Sequence, residues 1–173
     1  ECMRGKTKAK KKMSNASKRR PKEYGEWTID HVCMRDWYGE PGIGGYSDLL
    51  NIKDKYTGRM YSTPVETKDT DDTFDVLNTI RGQDRIKQIY CDGFKSFKRA
   101  IKRLGVPREP SQPGIHQTNA IIERANSDIL AGVRTALVQA GLPSCFWPFA
   151  AQCYAFLEST VFQEKQVWVP PIS

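Results

Sequence analysis

The chain has 173 residues, 39% of them hydrophobic, and a formal net charge of +7. No apolar run reaches the roughly 18 residues that span a bilayer, and the charged N-terminus lacks the apolar stretch of a secretory signal. Five cysteines without regular spacing argue against a disulfide framework and favour a reducing compartment.

The positive charge is concentrated in residues 1–23, which contain ten Lys/Arg and two Glu. The remaining residues, 24–173, contain seventeen Lys/Arg and eighteen Asp/Glu, so the body of the chain is nearly neutral. The basic segment has two interpretations. It is either a solvated linker or localisation signal, or an arm that contacts nucleic-acid phosphates.

The first half of the body predicts an antiparallel β-meander. Residues 27–33 alternate like a strand, with Trp27 and Ile29 on one face and Asp30 on the other. Further strands are expected at 46–54 and 59–65, joined by a turn at 55–58.

Helices and strands alternate in the second half, giving the order β-β-β-α-β-α-β-α-α. This order predicts an α/β fold with a mixed central sheet flanked by helices. Thr70 is expected to cap the first helix and Gly82 to end it. The later segments are a strand at 86–91, a helix with apolar positions 97, 100, 101 and 104, a short strand at 106–109, a helix at 119–140 and a final helix at 143–160.

Three carboxylates stand apart from the acids in turns and caps. Asp30 lies within a strand of apolar neighbours, Asp92 ends a strand and precedes Gly93, and Glu123 lies in the first turn of a long helix. Oxygen ligands of this kind suit Mg²⁺ or Mn²⁺. The pattern alone leaves open whether the three converge, because each acid also fits a helix cap or a surface ion pair.

The segments around these acids resemble the three blocks of the DDE integrase catalytic core, with copia-like long-terminal-repeat retrotransposons as the most similar type. The blocks are Trp-Thr-Ile-Asp at 27–30, Tyr-Cys-Asp-Gly at 90–93 and Gln-Thr-Asn-Ala-Ile-Ile-Glu-Arg at 117–124. A fourth block, Ala-Gly-Leu-Pro-Ser-Cys-Phe-Trp at 140–147, is similar to one that follows in that group. The sequence departs from the family where Asp92 is followed directly by Gly93 without an Asn, and where Ala120 replaces a Gly.

The resemblance implies an RNase H-like fold and an integrase that carries out 3′-end processing and strand transfer of retroelement DNA. Asp30, Asp92 and Glu123 would be the catalytic residues and would bind two Mg²⁺ or Mn²⁺ ions. The implied partners are retroelement ends and target DNA, with a homo-oligomer, no membrane and a nuclear location.

The resemblance also divides the chain. Residues 1–23 would be a basic linker carrying the remnant end of an upstream zinc module, with Cys2 as its last ligand. Residues 24–165 would be the integrase core, and residues 166–173 a truncated C-terminal tail. We expect no zinc in this chain, because one cysteine cannot complete a tetrahedral site. His31 and His116 are expected to be packing or polar-contact residues.

One helix of the body has a basic face, for which a solvated surface and DNA-backbone contact are both open. We also expect Phe146, Trp147 and Phe149 to serve in the core or in a subunit interface. The expected DNA-binding residues are Lys95, Lys98, Arg99, Lys102, Arg103, Gln117, Asn119 and Arg124, with Arg108 in the same basic patch.

Two other functions remain open. A decayed or host-adopted integrase-like domain would bind nucleic acid or protein without catalysis, and the missing Asn after Asp92 favours it. An RNase H-like nuclease with another role is disfavoured, because the fourth block points to the retroelement group.

Overall fold

The structure, a computed structural model, describes residues 23–110 and 120–160. Its order of elements is the predicted one. The strands are β1 (Glu26–Cys33), β2 (Asp48–Asp54), β3 (Met60–Val65), β4 (Gln88–Cys91) and β5 (Arg108–Pro110). The helices are α1 (Thr70–Arg81), α2 (Lys95–Leu104), α3 (Ala120–Ala140) and α4 (Trp147–Thr160), with a 3₁₀ turn at Ser144–Phe146.

The five strands form one mixed sheet in the order β3-β2-β1-β4-β5. The first three are antiparallel, as the predicted meander requires, whereas β1 and β4 are parallel, as are β4 and β5. Because β1 is the central strand, its residues have neighbours on both sides. The prediction of an α/β fold with a mixed, helix-flanked sheet is confirmed.

The sheet carries a hydrophobic core on each face. On one face Trp27 and Ile29 of β1 pack with Leu77 of α1 and Phe97 of α2. On the other, Leu49 and Met60 pack with residues of α3 and α4 that include Ile129 and Trp147. The alternation of β1 places Asp30 on the face opposite Trp27 and Ile29, as predicted, and this is the face that α3 and α4 cover.

Several boundaries differ from the predicted ones. Asp69, not Thr70, caps α1, because the Asp69 carboxylate accepts a hydrogen bond from the backbone N–H of Asp72. Strand β4 begins at Gln88 rather than at residue 86, and α4 follows a 3₁₀ turn. Pro148 is the second residue of α4, where its missing N–H leaves no helical hydrogen bond unmade.

No helix among the described residues combines the length and the apolar character needed to cross a membrane. The predictions for residues 1–22, 111–119 and 161–173 lie outside the described residues. They include Cys2, His116, Gln117 and Asn119.

Candidate active site

A row of polar side chains crosses the α3 and α4 face of the sheet. Asp30 of β1 pairs with Asn51 of β2, and Asn51 pairs with Ser62 of β3. Residues paired across strands point to the same face, and both Asn51 and Ser62 are buried among apolar neighbours. The row therefore forms a polar track on this face that leads to Asp30.

Asn126 of α3 joins this row to Asp30 through a chain of hydrogen bonds. Ser62 Oγ donates to Asn51 Oδ1 at 2.6 Å. Asn51 Nδ2 donates to Asn126 Oδ1 at 2.8 Å, and Asn126 Nδ2 donates to Asp30 Oδ2 at 2.8 Å. Each amide uses its oxygen as acceptor and its nitrogen as donor, so every bond in the chain points toward Asp30.

Asp30 lies between opposing influences, and the net effect is a pKa above its ordinary value. Burial is the largest cause and raises the pKa, because desolvation disfavours the charged form. The hydrogen bond from Asn126 lowers the pKa, and the nearby charge of Asp92 raises it again. Asp30 is thus a partly buried carboxylate that lies near the negative charge of Asp92.

The parallel pairing of β1 with β4 explains why Asp92 is close to Asp30. Thr28 pairs with Tyr90, so two residues further along each strand the register reaches Asp30 and Asp92. Strand β4 ends one residue earlier, at Cys91, and Asp92 Oδ1 accepts a hydrogen bond from the backbone N–H of Phe94 at 3.0 Å. The structure thus brings together two of the three predicted carboxylates.

Glu123 lies one turn before Asn126 on α3, and residues three apart lie on the same side of a helix. This places Glu123 on the side of α3 that carries Asn126, but its side chain is exposed. Within residues 23–110 and 120–160, no group of three or more His, Cys, Asp or Glu side chains is placed to hold a metal ion.

The chemistry of the Asp30 and Asp92 pair fits a hard divalent cation. Both groups supply oxygen, the ligand that Mg²⁺ and Mn²⁺ prefer. Burial is the main cause of the raised pKa of Asp30, and the Asp92 charge adds to it; a cation held between the two carboxylates would offset this repulsion. Glu123 would have to approach the pair to complete a three-carboxylate site.

His31 is a packing residue, as predicted, on the sheet face opposite Asp30. Its ring stacks on Phe97 with centroids 4.7 Å apart, and Nε2 lies 3.2 Å from Thr73 Oγ1. Burial, aided by the positive charge of Lys68, lowers the pKa of His31 to about 4. The imidazole is therefore neutral at physiological pH.

The predicted basic patch separates into free and engaged side chains. Arg103 donates to Asp71 at 2.9 Å and stacks over the ring of Phe74. Arg108 donates to the carbonyl oxygen of Asp92 at 3.3 Å, so it supports the turn that carries this carboxylate. Arg103 is exposed as well, and the exposed members of the patch for which no such contact is described are Lys95, Lys98, Arg99 and Lys102; Arg124 of α3 is also exposed.

The aromatic residues at the start of α4 have different environments. Trp147 is fully buried in the core, which is one of the two roles predicted for these aromatic residues. Phe149, by contrast, exposes 56% of its surface. The rings of Phe146 and Phe149 lie 6.2 Å apart.

Sequence reasoning missed the hydrogen-bonded chain behind Asp30. Both asparagines of this chain are marked in the sequence. Asn126 lies three residues after Glu123, and Asn51 is a polar residue that interrupts a buried apolar strand. Neither feature indicated which carboxylate the hydrogen-bonded chain contacts.

No model of a known protein family matches the sequence, and a search of curated proteins finds no significant match.

Proposed function

We propose that the chain is the core of a metal-dependent DNA integrase of RNase H-like fold, acting on the ends of a retroelement and on target DNA. The supporting observation is the adjacency of Asp30 and Asp92 at neighbouring parallel strands. The order of elements and the four sequence blocks are consistent with it. DNA, a homo-oligomeric assembly, a nuclear location and the domain limits 24–165 are parts of the same proposal.

Two reactions follow from this proposal. Water attacks a phosphodiester near the element's end, and the bond to the 3′-oxygen breaks to leave a 3′-hydroxyl. That hydroxyl then attacks a target phosphodiester, forming a new P–O bond and releasing the target's own 3′-hydroxyl.

Asp30, Asp92 and Glu123 would hold two Mg²⁺ or Mn²⁺ ions. When bound, these ions would supply positive charge to the reacting phosphate and acidify the attacking group. The protein's own part is positioning. Asn126 fixes one oxygen of Asp30, and the Phe94 N–H fixes one oxygen of Asp92.

Exposed cations of α2 would hold the DNA backbone beside this site. Lys95, Lys98, Arg99 and Lys102 follow Asp92 within a few residues, and an exposed cation neutralises phosphate whatever the base sequence. Arg103 is better described as a structural residue, because Asp71 and Phe74 already engage it. Arg124, exposed beside Glu123, would contact the DNA end.

The alternative is a catalytically decayed or host-adopted domain that binds nucleic acid. Two observations favour this alternative. The Glu123 side chain is exposed and belongs to no three-carboxylate cluster among the described residues, and the Asn usual after Asp92 is missing. In this case DNA binding would remain without cleavage.

The test incubates the full chain with Mn²⁺ and an end-labelled short duplex that has a recessed end. We expect cleaved and joined products from the native chain and none from Asp30→Asn, Asp92→Asn or Glu123→Gln. Asp128→Asn removes an exposed acid from the same helix as Glu123 and is the matched control. A folded native chain that binds the duplex without cleaving it would establish the alternative, and full activity of Asp92→Asn would refute the assigned site.

A further inference from the structure

Helix α4 is apolar on both of its sides. Its inner side buries Trp147 and Ala151 in the core between the helix and the sheet. Its outer side exposes 56% of Phe149, 68% of Phe156 and 54% of Leu157. A helix at a protein surface usually has a polar outer side, and a helix that is apolar all round is usually buried. The outer side of α4 is therefore an apolar surface that the described part of the chain leaves in solvent.

The exposed side chains of α4 follow one stripe along the helix. Successive residues of an α-helix are turned by about 100°, so residues four, seven, eight and eleven positions apart return to the same side. Glu158 is the single charged residue of α4, and it lies outside the stripe, beside Asp128 of α3. We call this surface the α4 stripe; its exposed and uncharged members are Phe149, Cys153, Phe156, Leu157 and Thr160.

The α4 stripe is nearly symmetrical about Cys153. Phe149 lies four residues before Cys153, and Phe156 and Leu157 lie three and four residues after it. If two copies of the helix cross antiparallel on a two-fold axis at Cys153, Phe149 of one copy faces Leu157 of the other. The small central side chain lets the helices approach, and the large apolar side chains fill both ends. A two-fold dimer requires a self-complementary surface of this kind.

The size of the α4 stripe fits a weak dimer. Covering its three large side chains would remove on the order of 300 Å² of apolar surface from water in each copy. Gln152, Cys153 and Thr160 are exposed beside them and add to the covered area. The total over both copies approaches the roughly 1,000 Å² at which specific interfaces begin. We therefore expect a dimer that forms at micromolar concentration.

The charges favour a second copy over a charged partner. The chain has a net charge of +7, so two copies repel one another and can join only where like charges stay apart. The α4 stripe meets this condition, because none of its five members is charged. A partner of opposite charge would be drawn to exposed cations instead, and the stripe has none.

We propose that the α4 stripe is the contact surface for a second copy of this chain, in a two-fold dimer whose helices cross at Cys153. The proposal rests on the proposed function only in giving its homo-oligomer a location, since nothing in the contact depends on DNA chemistry. One end of the surface is already ordered, because Phe149 packs beside Phe146 with ring centroids 6.2 Å apart.

Sedimentation velocity of the full chain over about 1–100 μM in reducing buffer tests the contact. We expect the native chain to pass from monomer to dimer, and Phe156→Glu to dimerise at least about tenfold more weakly. Glu lowers the net positive charge and so reduces general repulsion, which means that a loss of dimer reports the apolar contact itself. Gln139→Glu makes the same charge change at an exposed position of α3 and should dimerise like the native chain.

Cross-linking tests the position of the two-fold axis. One variant keeps Cys153 and has Ser in place of Cys2, Cys33 and Cys145, while Cys91 is buried. Mild oxidation by copper phenanthroline in air, with dissolved oxygen taking up the electrons of the two thiols, should join two copies through a Cys153 disulfide. The matched variant keeps the exposed Cys33 in place of Cys153 and should remain unlinked.

Three outcomes would overturn the interface. A native chain that stays monomeric at about 100 μM would leave the stripe to another occupant, such as residues 161–173 or a different protein. A dimer that survives Phe156→Glu would place the contact on another face, and equal cross-linking through Cys33 would reject the axis at Cys153. A monomer that cleaves DNA would reject the interface and retain the integrase proposal, whereas an inactive dimer would do the reverse.

Discussion

Asn126 donates a hydrogen bond to Asp30 across 96 positions of sequence, with Nδ2 and Oδ2 2.8 Å apart. This contact links α3 to the central strand at the candidate site. It also ends the chain of donors that begins at Ser62. The same bond thus fixes a helix on the sheet and orients a carboxylate.

Asn126→Ala should lower the free energy of unfolding by about 1–3 kcal/mol, because Asn51 Nδ2 and Asp30 Oδ2 each lose the hydrogen bond they make with Asn126. The pKa of Asp30 should rise further, since Asn126 lowers it in the native chain. Urea unfolding and carboxyl NMR titration measure the two effects. Ser127→Ala, at the adjacent exposed position of α3, should change neither. A native-like pKa of Asp30 in Asn126→Ala would contradict the assigned role.

Asp30→Asn should stabilise the fold at neutral pH. The pKa of Asp30 is raised above its ordinary 3.8, so the folded chain retains a proton that the unfolded chain has released. Its contribution to stability is present below pH 3.8 and is lost as pH rises through the folded pKa. At pH 7 the charged carboxylate lowers the stability of the folded chain. Asn at this position removes the charge and keeps an oxygen that accepts the hydrogen bond from Asn126.

The matched comparison for Asp30→Asn is Asp54→Asn. Asp54 is fully buried, and its carboxylate accepts hydrogen bonds from Gly25, Tyr56 and Thr57. We expect its replacement to destabilise the chain by about 2 kcal/mol or more, since bonds to a charged group are lost. Denaturant unfolding at pH 7 should therefore give opposite signs for the two substitutions. Equal destabilisation would show that Asp30 is only a structural acid.

The elements were predictable from sequence because their signals are local. The alternation of β1 and the apolar stripe of α2 each repeat within ten residues. The cap of α1 was misplaced by one residue, because Asp69 and Thr70 are both residue types that cap helices.

The site was only partly predictable, because its contacts are distant in sequence. Asp30 and Asp92 meet through a strand register that no local pattern specifies. Trp37 and Tyr38 belong to a class of large aromatic residues that are usually buried, yet the loop places both in solvent. Only the fold could reveal this exposure.

His31 should make the fold less stable as pH falls. Its pKa is about 4 in the folded chain against an ordinary 6.5, so between these values the unfolded chain binds the proton that the folded chain excludes. Stability is complete above pH 6.5 and declines as pH falls toward 4. Lys68 adds to this effect, and Asp48, Asp72 and Asp92 oppose it. His31→Gln should lose this slope in urea unfolding between pH 4 and 7, and an unchanged slope would refute the assignment.

Gly132 should be sensitive to any side chain, because α3 and α4 approach closely there. A Cβ at this position would clash with the ring of Tyr154. We expect Gly132→Ala to lower the free energy of unfolding by about 1–3 kcal/mol through overpacking. Gly93, whose Cβ would meet nothing within 4 Å, is the control, and Gly93→Ala should unfold like the native chain. Native-like stability of Gly132→Ala in chemical denaturation would show that the helices separate freely.

The exposed cations of α2 should govern the salt dependence of DNA binding. Lys98 and Lys102 lie four residues apart on one exposed helix face. Replacing both with Ala should reduce the slope of log affinity against log salt by about 1 per lost phosphate contact. Arg103→Ala should instead reduce stability slightly and leave the slope unchanged, because Asp71 and Phe74 already engage that side chain. Fluorescence anisotropy with a labelled duplex over a salt series measures the slopes. An equal loss of slope in Arg103→Ala would show that the whole helix face, rather than its free cations, contacts DNA.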